Sequence, residues 1–305
     1  MSRHPRRMTA QETVAILERG DYTAPFGRKI SIAEGLARAV ENTVLYRPDE
    51  LDALLKRLPA TEAETRIEVT GETTLAAAHR LCGDGTVPFA LNFASAKNPG
   101  GGFLNGAHAQ EEGLARSSGL YTSLLSAREF YDFHRAQRDL LYSDHMIYSP
   151  GVPVFRDDAG RLLDEPYDVA FLTSPAPNRD AIRDPATAEG IPAALRLRAR
   201  KVLAVALANG HGRLVLGAWG CGVFRNDPAE VAEAFAGPLR PGGEFAGRFE
   251  HVVFAVWDTA EAPPGRPPSR TSSPSRDAPR PRRRTRRPGR GGRARTRTVR
   301  RRPSP

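Results

Sequence analysis

The chain has 305 residues, of which 40% are apolar, and only two cysteines, Cys82 and Cys221. That length holds one large domain or two ordinary ones around a sizeable core, and two cysteines exclude a disulfide framework and a cysteine-rich zinc site. The formal net charge of +10 is unevenly placed: sixteen Arg and one Asp lie between Pro263 and Pro305, so residues 1–262 alone carry −5.

The N-terminus (MSRHPRRMTAQETVAILERG) is basic but has no continuous apolar stretch and no small-residue cleavage site. It does not read as a signal peptide, and no run reaches the ~18–20 apolar residues of a membrane-spanning helix. The default expectation is a cytoplasmic protein. Helical spacing of apolar residues covers Met8–Arg19, Ile30–Leu45 and Leu51–Leu58. Residues 1–60 are therefore expected to form a helical accessory region packed on a core that runs from 61 to 262. Arg66–Thr70 reads as a strand, Thr73–Leu81 as a helix with an alanine-rich face, and Pro88–Ala94 as a buried strand. Glu111–Leu125 is then helical. His145–Ser149, Val169–Thr173, Arg213–Ala218 and His251–Trp257 are strand-like, with a long helix over Ala186–Asn209 and another over Pro228–Phe235. Asn209-Gly210 is a helix stop, and Pro228 suits a first helical turn. Strands interleaved with helices predict an α/β sheet with helices on both faces. Residues 263–305, dominated by Arg, Pro, Ser, Gly and Thr, bury too little apolar surface to fold and read as a disordered tail.

Two glycine-rich loops carry the chemistry. In the first, NFASAKNPGGGFLNGAHAQEE, a strand runs into Gly100-Gly101-Gly102 before a helix begins near Gln110. Successive glycines leave backbone N–H groups open to a sugar or phosphate. In the second, LGAWGCGVFRNDP, Gly217, Gly220 and Gly222 again follow a strand and precede a helix. Ligands of open α/β sheets bind at the carboxyl ends of the strands, so two such loops suggest one diphosphate ligand. Neither loop is a Walker A or a GxGxxG motif. Taken singly, each is equally well a tight turn. Glu111 and Glu112 follow the last glycine by nine and ten residues, in the first turn of the predicted helix. Capping of the helix dipole would suffice to explain them. No histidine pattern for a metal is present, and no cofactor is implied.

GGG, seven residues, then QEE resembles the signature of the poly(ADP-ribose) glycohydrolases, and the surrounding stretch resembles their short microbial form. MIYSPGVPVFRDDAGRLLDEPYDVAFLTSPAPN, LVLGAWGCGVFRNDP and the N-terminal helices are similar as well, so the resemblance covers roughly residues 8–258. It implies a macrodomain-like three-layer α/β/α sandwich with a mixed central sheet, an N-terminal helical extension and a cleft for ADP-ribose. Gly100, Gly101 and Gly102 would contact the distal ribose and diphosphate. Gly217, Gly220, Cys221, Gly222, Val223 and Phe224 would form the diphosphate loop, with Phe224 packed on the distal ribose. Glu112 would be catalytic, Glu111 would bind ribose hydroxyls, and Gln110 would sit beside them as a neutral hydrogen-bonder. In animal members an Asn lies shortly before the glycines. Ser95-Ala96 stands there in this chain, leaving Asn92 and Asn98 as candidates to orient the ribose.

The implied reaction cleaves a ribose–ribose bond through an oxocarbenium-like transition state. Most glycosidases flank the bond with two carboxylates. Adjacent residues of a helix diverge by about 100°, so one Glu acting as acid and then base is expected. A helix N-terminus favours the ionised Glu, whereas desolvation and a nearby diphosphate favour the protonated one. The implied partner is poly(ADP-ribose) or ADP-ribosylated protein, attacked by a monomeric enzyme from the free end of the polymer. The Arg-rich tail could add polymer or nucleic-acid contacts. Two other functions fit the same cleft: a non-catalytic ADP-ribose reader, and a hydrolase of mono-ADP-ribose on protein or nucleic acid. Cys221 is expected to be chosen for its size, and Trp219 and Trp257 to be core residues.

Overall fold

A computed structural model of the chain describes residues 2–257. In chain order its elements are α1 (Arg3–Arg19), β1 (Asp21–Thr23), β2 (Lys29–Ser31), α2 (Ala33–Glu41), β3 (Val44–Tyr46), α3 (Pro48–Leu55), β4 (Arg66–Thr70), α4 (Thr74–Leu81) and β5 (Phe89–Phe93). There follow α5 (Gln110–Ser117), α6 (Leu120–Ser126), α7 (Arg128–Ala136), β6 (Met146–Arg156), β7 (Leu162–Ser174), α8 (Pro185–Glu189), α9 (Ile191–Ala208), β8 (Arg213–Gly217), α10 (Pro228–Leu239) and β9 (His251–Ala255). Seven strands form one mixed sheet in the order β3-β6-β7-β5-β8-β9-β4. β7, β5, β8, β9 and β4 run parallel, while β3 and β6 are antiparallel to their neighbours.

The period-2 pattern of the strands builds the three layers. Phe89 and Leu91 of β5, with Leu214 and Leu216 of β8, pack under α3, α9 and α10. Ala90 and Val215 point to the other face, under α4, α5, α6 and α7. A fully buried Leu or Phe stabilises by about 1.5–3 kcal/mol, so the central strands are fixed in register from both sides. This is the sandwich that the sequence implied.

Several boundaries differ from expectation. Residues 1–60 are helical only in part: they also supply β1, β2 and the sheet's edge strand β3. The helix expected over Ile30–Leu45 is only α2 at its centre, because Ile30 pairs with Tyr22 and Leu45 with Ile147. The helix expected over Glu111–Leu125 breaks between α5 and α6. Ser118 is extended there and bridges Val154, and a side chain at Gly119 would collide with Leu36. Gly190 likewise separates α8 from α9. α7 was not expected: its inward side chains, Phe130, Tyr131 and His134, are set among polar residues with no side-chain N-cap. β6 and β7 form a longer hairpin than predicted, and Pro150 and Gly151 fall at a register shift between Ser149 and Val152, where an unpaired position tolerates proline. Trp219 is buried as expected, but Trp257 is 54% exposed just past β9. The tail 263–305 lies outside the described residues.

Candidate active site

β5 and β8 are parallel neighbours, so their carboxyl ends lie at one edge of the sheet. Both glycine-rich loops leave from that edge, as the sequence suggested. The first loop, after Phe93, turns through Gly100 and Gly101, both on left-handed backbone, into a short 3-10 turn at Phe103–Asn105. α5 then begins at Gln110.

Two carboxylates close back onto this loop. Glu112 Oε1 accepts the N–H of Gly102 at 2.9 Å. Glu111 Oε2 accepts the N–H of Ser95 at 2.6 Å, and its Oε1 accepts Asn92 Nδ2 at 3.3 Å. They meet at Gly101, where a methyl group would overlap Glu112 Oε1 and come within 3.1 Å of Glu111 Oε2. The expected divergence of two adjacent helical residues is thus cancelled at the tips of their side chains. The glycine loop occupies the space between those tips, so it leaves no room for a bond flanked from opposite faces.

Glu111 is 3% exposed. Burial pushes its carboxyl up to about 8, against the bonds from Ser95, Asn92 and Gly100, which pull it down. Desolvation, with the neighbouring Glu112 charge adding to it, therefore outweighs the hydrogen bonds. In the unfolded chain the group ionises near 4.5, so between that pH and about 8 the folded protein holds a proton that the unfolded chain has released. Glu111's contribution to stability is complete below the lower value and is lost as pH rises through the upper one. The melting temperature of the wild type is accordingly expected to fall more steeply between about pH 5 and about pH 9 than that of Glu111→Gln, whose amide never titrates. Parallel curves for the two proteins would place the Glu111 carboxyl in the ordinary range.

The remaining sequence candidates separate into two groups. Gln110 is engaged by β5 and α4: Oε1 accepts the N–H of Phe93 at 2.9 Å, and Nε2 donates to the Leu91 carbonyl at 2.8 Å and to Thr74 Oγ1 at 3.1 Å. It pins α5 to β5 and so sets where Glu111 and Glu112 begin. Asn92 is buried in β5, its Nδ2 shared between Glu111 and Thr173 Oγ1 at 3.0 Å. Asn98 is exposed on the loop.

In the second loop, a side chain at Gly220, also left-handed, would strike Ala176 and Asn226, whereas one at Gly222 would enter open space. Gly220 thus serves the turn itself, and Gly222 leaves main chain accessible. Val223 is 73% exposed, and Phe224 and Cys221 are half-buried. Burial, with Asp227 nearby, pushes the Cys221 thiol up to about 11, which leaves little thiolate at neutral pH. Asp227 caps α10, accepting the N–H groups of Ala229 and Glu230. Asn226 instead ties the loop to the segment after β7, donating to the Pro177 carbonyl at 2.8 Å. Sequence reasoning passed over Ser95, Thr173, Tyr142 and Arg198, whose partners are remote along the chain.

Fold and site together define a macrodomain-like enzyme whose acidic turn faces a ligand edge built from two glycine loops. The family described as "Microbial-type PARG, catalytic domain" matches residues 10–157. Poly(ADP-ribose) glycohydrolase from Thermomonospora curvata is 69% identical, over 85% of this chain and 95% of that one, with a TM-score of 0.82. The same enzyme bound to the inhibitor ADP-HPD gives 69% identity over 84% and 95%, with a TM-score of 0.80. The Deinococcus radiodurans enzyme in complex with ADP-ribose is 52% identical over 74% of this chain and 91% of that one, with a TM-score of 0.70. No match was found among curated proteins. The chain belongs to the microbial-type poly(ADP-ribose) glycohydrolase family.

Proposed function

We propose that the chain hydrolyses poly(ADP-ribose) at ribose–ribose O-glycosidic bonds and releases ADP-ribose, with Glu112 acting as acid and then base. The observation that carries this reading is the convergence of Glu111 and Glu112 on Gly101 at the carboxyl edge of β5. In this reading Glu112 protonates the leaving ribose oxygen and then takes a proton from the incoming water. The N–H of Gly102 fixes one of its oxygens and leaves the other for the substrate. Glu111 shapes the loop through Ser95 and Asn92, and the lone pairs it has left serve the ribose hydroxyls. Gly100, Gly101 and Gly102 lie along the distal ribose, with Asn98 at the rim. The open main chain at Gly222 and Val223 receives the diphosphate, with Gly217, Gly220 and Cys221 forming the turn beneath it and Phe224 beside the ribose. The diphosphate, brought close to the reacting sugar, stabilises its developing positive charge.

Attack from the free end of the polymer belongs to the same reading. α1 lies across the first loop, where Arg3 Nε donates to the Asn105 carbonyl at 3.0 Å and Arg6 Nε to that of Gly106 at 2.9 Å. A helix fastened there narrows the space for a continuing chain. A monomer in the cytoplasm, organised as an N-terminal region 1–60, a catalytic domain 61–262 and a tail, completes the proposal. The paired carboxylates favour catalysis over a non-catalytic reader, which needs no acid. Release of ADP-ribose from the polymer, compared with release from mono-ADP-ribosylated protein, tests the substrate.

The sixteen arginines of residues 263–305 would engage polymer phosphates. Deleting that segment is expected to weaken polymer binding at low salt and to flatten its salt dependence, while single ADP-ribose binds as before. Equal polymer affinity with and without the segment, measured at low salt, would remove it from the reading.

A further inference from the structure

Behind the second glycine loop lies a buried cation outside the chemistry described so far. Arg198 of α9 is 2% exposed, and each arm of its guanidinium is engaged. Nε donates to Asp144 Oδ1 at 2.8 Å, one terminal nitrogen to the Pro175 carbonyl at 2.7 Å, and the other to the carbonyls of Leu141 and Tyr142 at 3.0 and 3.3 Å. Lys201, 1% exposed, takes the second oxygen of Asp144 at 2.7 Å. Desolvating a guanidinium is costly, and apolar residues replacing a whole buried ion pair often fill the same space at no loss of stability. Packing alone therefore does not account for Arg198. The three carbonyls are the informative partners, because they belong to the two segments that flank the second loop.

Those segments converge on Phe224. Tyr142 sits on left-handed backbone, φ 59°, which is unfavourable for a non-glycine residue and persists only where the surroundings impose it. Arg198 holds its carbonyl, and Asn178 Nδ2 donates to its hydroxyl at 3.4 Å. The ring held in this way lies 6.1 Å from that of Phe224, tilted by 48°. On the other side, the Phe224 carbonyl accepts the N–H of Asp180 at 3.0 Å, and Asn178 N–H donates to the Leu140 carbonyl at 2.8 Å. Residues 140–144, 175–180 and the second loop are thus laced together, and Arg198 bonds to the first two at once.

We propose that Arg198 is a positioning residue for ADP-ribose cleavage, acting through Tyr142 on the Phe224 wall of the second glycine loop. The inference rests on the proposed role of that loop in holding the substrate. A lysine places its three donors on one nitrogen, whereas the planar fork reaches partners several ångströms apart from three separate nitrogens. A wall displaced by about 1 Å moves the ribose relative to Glu112, and misplacement of that size costs on the order of 100-fold in rate.

The test uses the full chain with Arg198→Lys, Tyr142→Ala, Tyr142→Phe and the Arg198→Lys/Tyr142→Ala double variant. Turnover of poly(ADP-ribose), ADP-ribose affinity and melting temperature are read for each. Arg198→Lys and Tyr142→Ala are each expected to lower kcat by roughly 10- to 100-fold, with Tyr142→Phe within about two-fold of wild type because the ring backs Phe224. The double variant is expected to be no slower than the slower single one, since both act along one path. An unchanged kcat in Tyr142→Ala, or losses that multiply in the double variant, would overturn the proposal. Should Arg198→Lys fail to fold, an unchanged kcat in Tyr142→Ala still overturns the proposal, because the path from Arg198 to Phe224 runs through that ring. A wild type that binds ADP-ribose but releases none from polymer would sink the functional reading instead, and the same double-variant cycle on ADP-ribose affinity would then judge Arg198.

Discussion

Glu112→Gln is expected to stop release of ADP-ribose from poly(ADP-ribose) and to leave ADP-ribose binding intact. The substitution keeps the shape of the side chain, and its amide oxygen can still accept the N–H of Gly102, now bonded at 2.9 Å. The loop therefore has no reason to move. What disappears is the proton, and it is needed twice: once for the leaving oxygen and once, in the reverse direction, for water. General acid–base catalysis contributes about 10²–10⁴-fold at one transfer, so the loss should stand at the upper end of that range. Glu111 cannot take over, because it is 3% exposed and bonded within the chain through both oxygens. Release is followed by chromatography and binding by calorimetry. Binding without release in the variant, beside full release by the wild type, is the expected pair of results. A variant that turns over at the wild-type rate would take Glu112 out of the chemistry.

Much of this was legible along the sequence because the signals were local. Strand, glycines and acidic turn occur within about thirty residues, from Asn92 to Tyr121, and local order fixes which sheet edge the loop occupies. The failures were of two kinds. Short elements with no periodicity of their own, β1, β2 and β3, take their conformation from partners far along the chain, as Leu45 does from Ile147. Proline and glycine at 150 and 151 looked like a strand's end, yet the strand absorbs them as a bulge. The second kind concerns side-chain tips. Glu111 and Glu112 leave their helix in different directions, and nothing in their spacing says that their carboxylates meet again at Gly101. Gln110 was read as a neutral hydrogen-bonder beside the carboxylates, and its bonds hold α5 to β5. Its role depends on the Leu91 carbonyl, the Phe93 N–H and Thr74, and a backbone partner has no sequence signature.

Gly101→Ala is expected to cost far more in kcat than in stability. The two costs have different origins. The backbone there has φ 60°, which an alanine adopts at a cost of about 1–2 kcal/mol. That lowers the melting temperature of a domain this size by only about 2–8 °C. The methyl group itself would overlap Glu112 Oε1, inside any real contact, and would lie 3.0 Å from its Cδ. Glu111 Oε2 is 3.1 Å away on the other side and is held by the N–H of Ser95, so the methyl group cannot be accommodated by moving that carboxylate. Glu112 must swing away from Gly102, and a carboxyl displaced by about an ångström from its working position costs on the order of 100-fold or more in rate. ADP-ribose affinity should change less, since the main chain proposed to receive the diphosphate lies in the second loop at Gly222, where a Cβ meets nothing. Turnover, affinity and melting temperature measured on one preparation separate these effects. A Gly101→Ala protein that melts as expected but keeps its kcat would mean that Glu112 works from a position other than the one it occupies here, and the geometry of the proposed acid would have to be rebuilt around that position.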